Sequence, residues 1–176
     1  MEISPRNNVG SFLDFNESLA QKNINFGYND TMKTFQKLRG NKYTFSLKVY
    51  DFFIKNIEKK YKDTLKLINI NDSKKVLDVL EMAGKIFELD ESKIYFLNFY
   101  NGILKKKIKN QEELNSDLFL NKIKNKQIKS LRDSKFIVKY IYNLLKNKAS
   151  YKEISTLYHI AKKETLVAVY LVAIES

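Results

Sequence analysis

The sequence predicts an all-α protein, a compact bundle of about eight or nine helices that closes on a helical hairpin. Three observations carry that expectation. One proline and five glycines in 176 residues are too few turn-makers for a sandwich or barrel of many short strands. Apolar residues recur three and four apart through most of the chain. The breaks between these periodic stretches are short and polar, with no internal repeat or low-complexity linker among them.

Taken in order, Phe12, Phe15 and Leu19 stand at i, i+3 and i+7 of a first helix. Met32, Phe35 and Leu38 follow three apart, ahead of Gly40, which suits the C′ position. The longest helix is expected from Thr44 to Asn69, with Phe45, Val49, Phe52, Ile57, Tyr61, Leu65 and Ile68 on one side. Asp72 is the expected N-cap of a helix turning Val76, Leu77, Leu80, Ala83 and Phe87 inward. Asp90 or Ser92 caps the next, with Ile94, Leu97, Leu104 and Ile108 inward. The run Tyr95, Phe96, Phe99, Tyr100 keeps a short strand within residues 93–104 open as the alternative. Residues 109–131 carry a more polar helical pattern. Apolar pairs at 136/137, 140/141 and 144/145 then make a stripe wide enough to need neighbours on two sides. A boundary falls near 109–133. Residues 1–130 are read as a helical domain for oligomerisation or partner binding, and residues 131–176 as a C-terminal unit that also suits the same core.

Composition narrows the chemistry. Cysteine is absent and His159 is the one histidine, so disulfides, thiolate metal sites and a Ser-His-Asp triad have almost nothing to be built from. His159 itself suits a helix C-terminus better than a ligand or base. There is no glycine-rich phosphate loop, nucleophile elbow or carboxylate set at metal spacing. The expectation is a protein that is not an enzyme, with no catalytic residue, cofactor or metal. The opening "MEISPRNNVG" lacks the apolar run of a signal peptide, and "TLVAVYLVAI" is half of the roughly 20 residues a spanning helix needs. A soluble, cytoplasmic protein without a membrane partner is therefore expected.

The formal charge of +12 and the pI near 9.6 suit a partner made of phosphates. Only three of the 32 basic residues are arginine, and the abundance of Lys, Asn and Ile has the look of an AT-rich genome. Scarce arginine argues against extensive base reading, because the guanidinium fork is what grips guanine and phosphate bidentately. The charge is nonetheless uneven: +1 over residues 1–40, +2 over 41–90, +5 over 91–130 and +4 over 131–176. Lys105, Lys106, Lys107 and Lys109, followed by Lys122, Lys124, Lys126 and Lys129, form a dense cationic region able to follow a phosphate backbone. A solvated helix face accounts for the same run. Among the 11 tyrosines and 12 phenylalanines, Tyr43, Tyr95, Tyr100 and Tyr151 lie off or beside the inward stripes and are the candidates for stacking on bases.

The stretch "ASYKEISTLYHIAKKETLVAVYL" holds the remaining motif. Ser150 and Glu153 form the S-x-x-E capping box, Ile154, Leu157 and Tyr158 line a short helix, and a second helix runs from Glu164 to Glu175. Residues 142–171 resemble the helix-turn-helix units of response regulators, sigma factors and resolvases. Ser150, Glu153, Ile154 and Ile160 stand at the pattern's positions, and Thr165 and Leu166 match the opening of the recognition helix after one extra residue in the turn. Ser155 stands where alanine is usual, and His159 where glycine makes the corner. The resemblance implies DNA binding, with Lys152, Lys162 and Lys163 on phosphates and Thr165 near base edges. Yet "TLVAVYLVAIES" is apolar around nearly its whole circumference, as a buried helix is. The same corner suits a hairpin closing the core. The sequence therefore reads as a nucleic-acid-binding helical protein, with DNA favoured over RNA and homo-oligomerisation open. The alternative is a helical interaction or adaptor protein whose partner is another protein.

Overall fold

The computed structural model describes residues 16–48, 50–112, 133–147 and 151–175, with the backbone alone for Tyr151. The described chain is mostly helical: seven helices and one three-stranded sheet. They run α1 (Glu17–Thr34), β1 (Leu38–Arg39), β2 (Thr44–Ser46), α2 (Tyr50–Leu67), α3 (Val76–Ile86), β3 (Ile94–Tyr95), α4 (Leu97–Asn110), α5 (Ser134–Lys146), α6 (Tyr151–Ile160) and α7 (Lys162–Glu175). Phe12, Phe15, Val49 and residues 113–131 of the polar helical pattern expected over 109–131 lie outside the described residues.

The small sheet is the main departure from the expected all-α fold. Thr44–Ser46, expected to open the longest helix, instead pair antiparallel with β1 (Leu38↔Ser46, Arg39↔Phe45) and parallel with β3 (Thr44↔Ile94, Phe45↔Tyr95). Gly40 is no helix terminus but the turn between β1 and β2, at φ +99, where the Tyr43 carbonyl and the Phe45 ring leave no room for a Cβ. Helices α1, α2 and α3 end instead on Gln36, Asn69 and Glu88, each in the left-handed region. In each the following amide reaches back five residues, Lys37 to Met32 O, Ile70 to Leu65 O and Leu89 to Gly84 O. Asp72 and Asp90 are not helix caps. Each carboxylate accepts the amide two residues on, ahead of a helix that starts later.

Helix α7 forms the centre. Every residue from Thr165 to Leu171 is fully buried, because α2, α3, α5 and α6 pack around it and α4 touches it. The C-terminal hairpin thus shares one core with the preceding helices. Each buried Leu or Val of α7 contributes roughly 1.5–3 kcal/mol relative to exposure. Polar ties fix its ends: Ser134 Oγ donates to Glu164 at 2.8 Å, and Tyr142 Oη and Lys146 Nζ donate to Glu175 at 2.6 and 3.0 Å. The buried Lys139 ammonium donates to Ile108 O at 3.1 Å, satisfying an open carbonyl at the end of α4.

A second knot of packing joins sheet, α3 and α4. The Tyr100 ring meets Tyr43, Phe45 and Tyr95 edge-on at centroid distances of 5.6, 5.1 and 5.1 Å. Its hydroxyl donates to Leu80 O at 3.1 Å, over Gly84. A Cβ on Gly84 would overlap that hydroxyl and stand 2.7 Å from Tyr43 Cζ, whereas one on the exposed Gly102 of α4 would meet nothing within 4 Å. Gly84→Ala is expected to destabilise by about 3 kcal/mol through overpacking. Gly102→Ala should stabilise by about 0.5–1 kcal/mol through helix propensity. Urea unfolding of the two variants checks the opposite signs.

Candidate nucleic-acid interface

Helix α4 is the basic element. Its inward stripe of Leu97, Tyr100, Leu104 and Ile108 fixes the azimuth of the rest, leaving Lys105 half-buried and Lys106, Lys107 and Lys109 exposed. The helix carries no acidic residue, and its four lysines fall in the last two turns, where they complement the carbonyl end. Lys109 Nζ stands 3.9 Å from Glu175. Lys105, Lys106 and Lys107 have no carboxylate within 4 Å among the described residues.

These lysines open onto two grooves. On one side Lys105 faces Lys60 of α2 across a groove lined by Asn56, Asn98 and Asn101, with Phe53, Ile57, Ala173 and Ile174 at its apolar base. Its volume of about 220 Å³ lies below the roughly 300–1,000 Å³ of an enclosed small-molecule site. On the other side Lys106 and Lys107, with Lys135, ring Phe87 and Ile103. Lys135 pairs with Glu88 at 2.9 Å, and this hydrogen-bonded ammonium, with Lys107 beyond it, holds the Glu88 carboxyl below the usual range. Lys122, Lys124, Lys126 and Lys129 lie outside the described residues.

The C-terminal corner is assembled differently from the expected reading head. Thr165, expected near base edges, is fully buried, and its hydroxyl donates to Ala161 O at 2.9 Å. Lys162 is exposed but its ammonium lies 2.8 Å from Asp72 and 5.4 Å from the centre of the Tyr158 ring. Lys152 and Lys163 are exposed, and His159 occupies the last turn of α6. Ser150 lies outside the described residues. Glu153, its expected capping partner, accepts the Tyr140 hydroxyl at 3.0 Å.

Three of the four expected stacking candidates are core residues. Tyr43, Tyr95 and Tyr100 are at most 5% exposed, and burial pushes all three phenols up. The side chain of Tyr151 is not described. The exposed rings are others: Phe52 at 70% and Phe99 at 63%, with Phe35, Tyr28 and Phe96 at 52–55%. Phe52, expected on the inward stripe, lies five residues before the buried Ile57, about 140° around the helix. That angle, together with the absence of any acid on "LNFYNGILKKKIKN", is the signal for this face that the sequence holds.

No family model matches the chain, and no curated protein or solved structure is detectably similar to it. Among the described residues no three His, Cys, Asp or Glu side chains are grouped to hold a metal ion, and no helix is long and apolar enough to cross a membrane.

Asp72 is the polar fastening of the corner. Its side chain is 4% exposed and accepts Lys162 Nζ, Tyr158 Oη at 2.6 Å and the Lys74 amide at 2.7 Å. Burial alone would push this carboxyl up, but the hydrogen bonds from Lys162, Tyr158 and the Lys74 amide outweigh it and hold it at about 2. A carboxyl depressed by folding contributes its full stabilisation above its unfolded value and loses it as pH falls through the folded one. Asp72→Asn is therefore expected to cost about 2 kcal/mol at neutral pH, with the gap to the parent closing between about pH 4 and pH 2. Urea unfolding at stepped pH measures both.

Proposed function

We propose that this protein binds nucleic acid through its phosphate backbone, using the lysine face of α4 rather than a recognition helix. The observation that supports this most is the run Lys105, Lys106, Lys107 on a helix without acids, three ammonium groups with no carboxylate in ion-pair range among the described residues. Several other lysines serve the fold: Lys139 closes a helix end, Lys146 and Lys109 neutralise Glu175, and Lys162 is held by Asp72. Unpaired ammonium groups along one ridge attract a polyanion by releasing its condensed counterions, a sequence-independent attraction. The burial of Thr165 removes the side chain best placed to read bases from the corner, so backbone contact without base selection is the reading favoured here.

A second reading rests on a specific feature of α1. Ile24, Tyr28 and Phe35 are exposed at i, i+4 and i+11, an apolar stripe of the kind a helical adaptor presents to a protein partner.

Fluorescence anisotropy with a random duplex, a single strand and an RNA hairpin, from low to physiological salt, tests the proposal. Tight binding with a steep salt dependence is expected. Replacing Lys105, Lys106 and Lys107 together by alanine should weaken binding to every sequence alike. It should also flatten the log–log salt slope by about 2 to 3, at roughly 0.9 for each phosphate no longer neutralised. Unchanged affinity and slope would leave α4 a solvated face and turn attention to α1.

A further inference from the structure

We propose that the outward face of α1 is a homodimer seam, on which α1 of a second copy of this chain packs antiparallel about a two-fold axis between Gly27 and Tyr28. This names the occupant of the α1 stripe and does not depend on the lysine face of α4.

Helix α1 is amphipathic in the reverse sense to a helix that docks on a core. It buries Asn29, Asp30 and Lys33 and leaves Ile24, Tyr28 and Phe35 at 64, 54 and 55% exposure. At about 100° per residue these three and Thr31 fall within about 60° of one another, on the side opposite Lys33. The exposed Ala20 and Gly27 border them. One exposed apolar residue is ordinary on a surface, whereas a continuous stripe gains from being covered.

Charge restricts what covers it. Two copies of a chain of formal charge +12 repel each other, so they can meet only where that charge is missing. The outward face of α1 is such a place. Between Ser18 and Phe35 the charged residues are Lys22, Asp30 and Lys33; the last two are buried, and Lys22 stands about 160° around the helix from Ile24. The ends of the stripe have opposite signs, with the exposed Glu17 opening the helix and the exposed Lys37 following it. Antiparallel pairing sets Glu17 of each copy near Lys37 of the other, where parallel pairing sets like beside like.

Size gives the register. Ala20 lies seven residues before Gly27 and Phe35 seven after Tyr28; Ile24 lies three before Gly27 and Thr31 three after Tyr28. A two-fold axis at that midpoint therefore sets Tyr28 against Gly27, Phe35 against Ala20 and Ile24 against Thr31 of the other copy. Each contact brings a large residue to a small one, the self-complementarity an isologous interface requires. The Thr31 hydroxyl donates to Gly27 O at 2.8 Å, which leaves its methyl for contact. A Cβ on Gly27 would meet nothing within 4 Å, so packing within the chain does not demand a glycine in mid-helix, where it lowers helix stability. The stripe, about 22 Å long, seats one helix, less than the roughly 800 Å² per partner of a standard interface, so the dimer is a reversible one.

Sedimentation velocity from micromolar to millimolar protein should show a monomer–dimer equilibrium that tightens as salt is raised, because salt screens the repulsion between copies and spares apolar contact. Ile24→Asp/Tyr28→Asp should weaken dimerisation roughly tenfold or more, by placing charge in a desolvated seam. Both residues are exposed, so this variant is expected to melt like the parent. The chain has no cysteine, so single cysteines map the contact without ambiguity. Gly27→Cys should form disulfide-linked dimers on mild oxidation. Ala20→Cys should not, since its two copies stand about 22 Å apart along the pair, against the roughly 4.4–6.8 Å between Cα atoms that a disulfide spans. Mixing Ala20→Cys with Phe35→Cys should restore the link. A monomer at every concentration and salt would overturn the proposal and leave the stripe to a different protein. A dimer indifferent to the two aspartates would place self-association on another face, and equal cross-linking at positions 20 and 27 would overturn the antiparallel seam.

Discussion

Helix α7 has no outward face, and the rest of the molecule is arranged to supply what that requires. A helix buried from Thr165 to Leu171 without interruption must be covered on every side, and four helices do so at once. The carboxylates at its two ends, Glu164 and Glu175, are met by Ser134 at one end and by Tyr142 and Lys146 at the other. The corner before it is pinned by Asp72, which reaches from the approach to α3 to the start of α7. The hairpin that resembles a DNA-reading unit is in this fold a core element with charged fastenings.

The centre being apolar, geometry draws some lysines into the fold and leaves others to solvent. Those whose helices bring them toward a carbonyl or carboxylate are absorbed into the fold, as Lys139 is at 8% exposure. Lys105, Lys106 and Lys107 on α4 have no carboxylate in ion-pair range among the described residues. An amphipathic helix with its acids removed from the solvent side is a cationic ridge whatever the genome's codon usage, because position and not count decides which charges remain unpaired.

The helical stripes are readable from spacing wherever the core is helical. Ile57, Tyr61, Leu65 and Ile68 face inward as expected, as do Val76, Leu80, Ala83 and Phe87, and Ile137 and Ile141. The short sheet is harder to read, since two- and three-residue strands carry too few positions to show a period of two. Missing β2 has a knock-on cost: with Thr44–Ser46 merged into the helix, Phe45 and Phe52 fall on the same face although they belong to different elements. The alternative of a strand within 93–104 is realised as Ile94–Tyr95, and it carries Tyr95 into the core. Helix ends at Gln36, Asn69 and Glu88 leave no glycine to mark them. The candidate site is legible as a lysine run on a helix, whereas the partner groove requires knowing that α2 and α4 start from paired parallel strands.

Helix α1 is attached to this body by an unusual kind of bond. None of its side chains belongs to the apolar core; what it buries is Asn29, Asp30 and Lys33. Asn29 donates to Ser92 O at 3.1 Å, and Lys33 donates to Asn41 O at 2.6 Å, in a turn whose Asn41 amide is bound by the buried Glu81. Releasing such an arm exposes polar groups that water can satisfy and leaves the core intact, so it opens at a free energy well below global unfolding. Native-state amide exchange would find α1 a separately opening unit, exchanging ahead of the helices that share the apolar core.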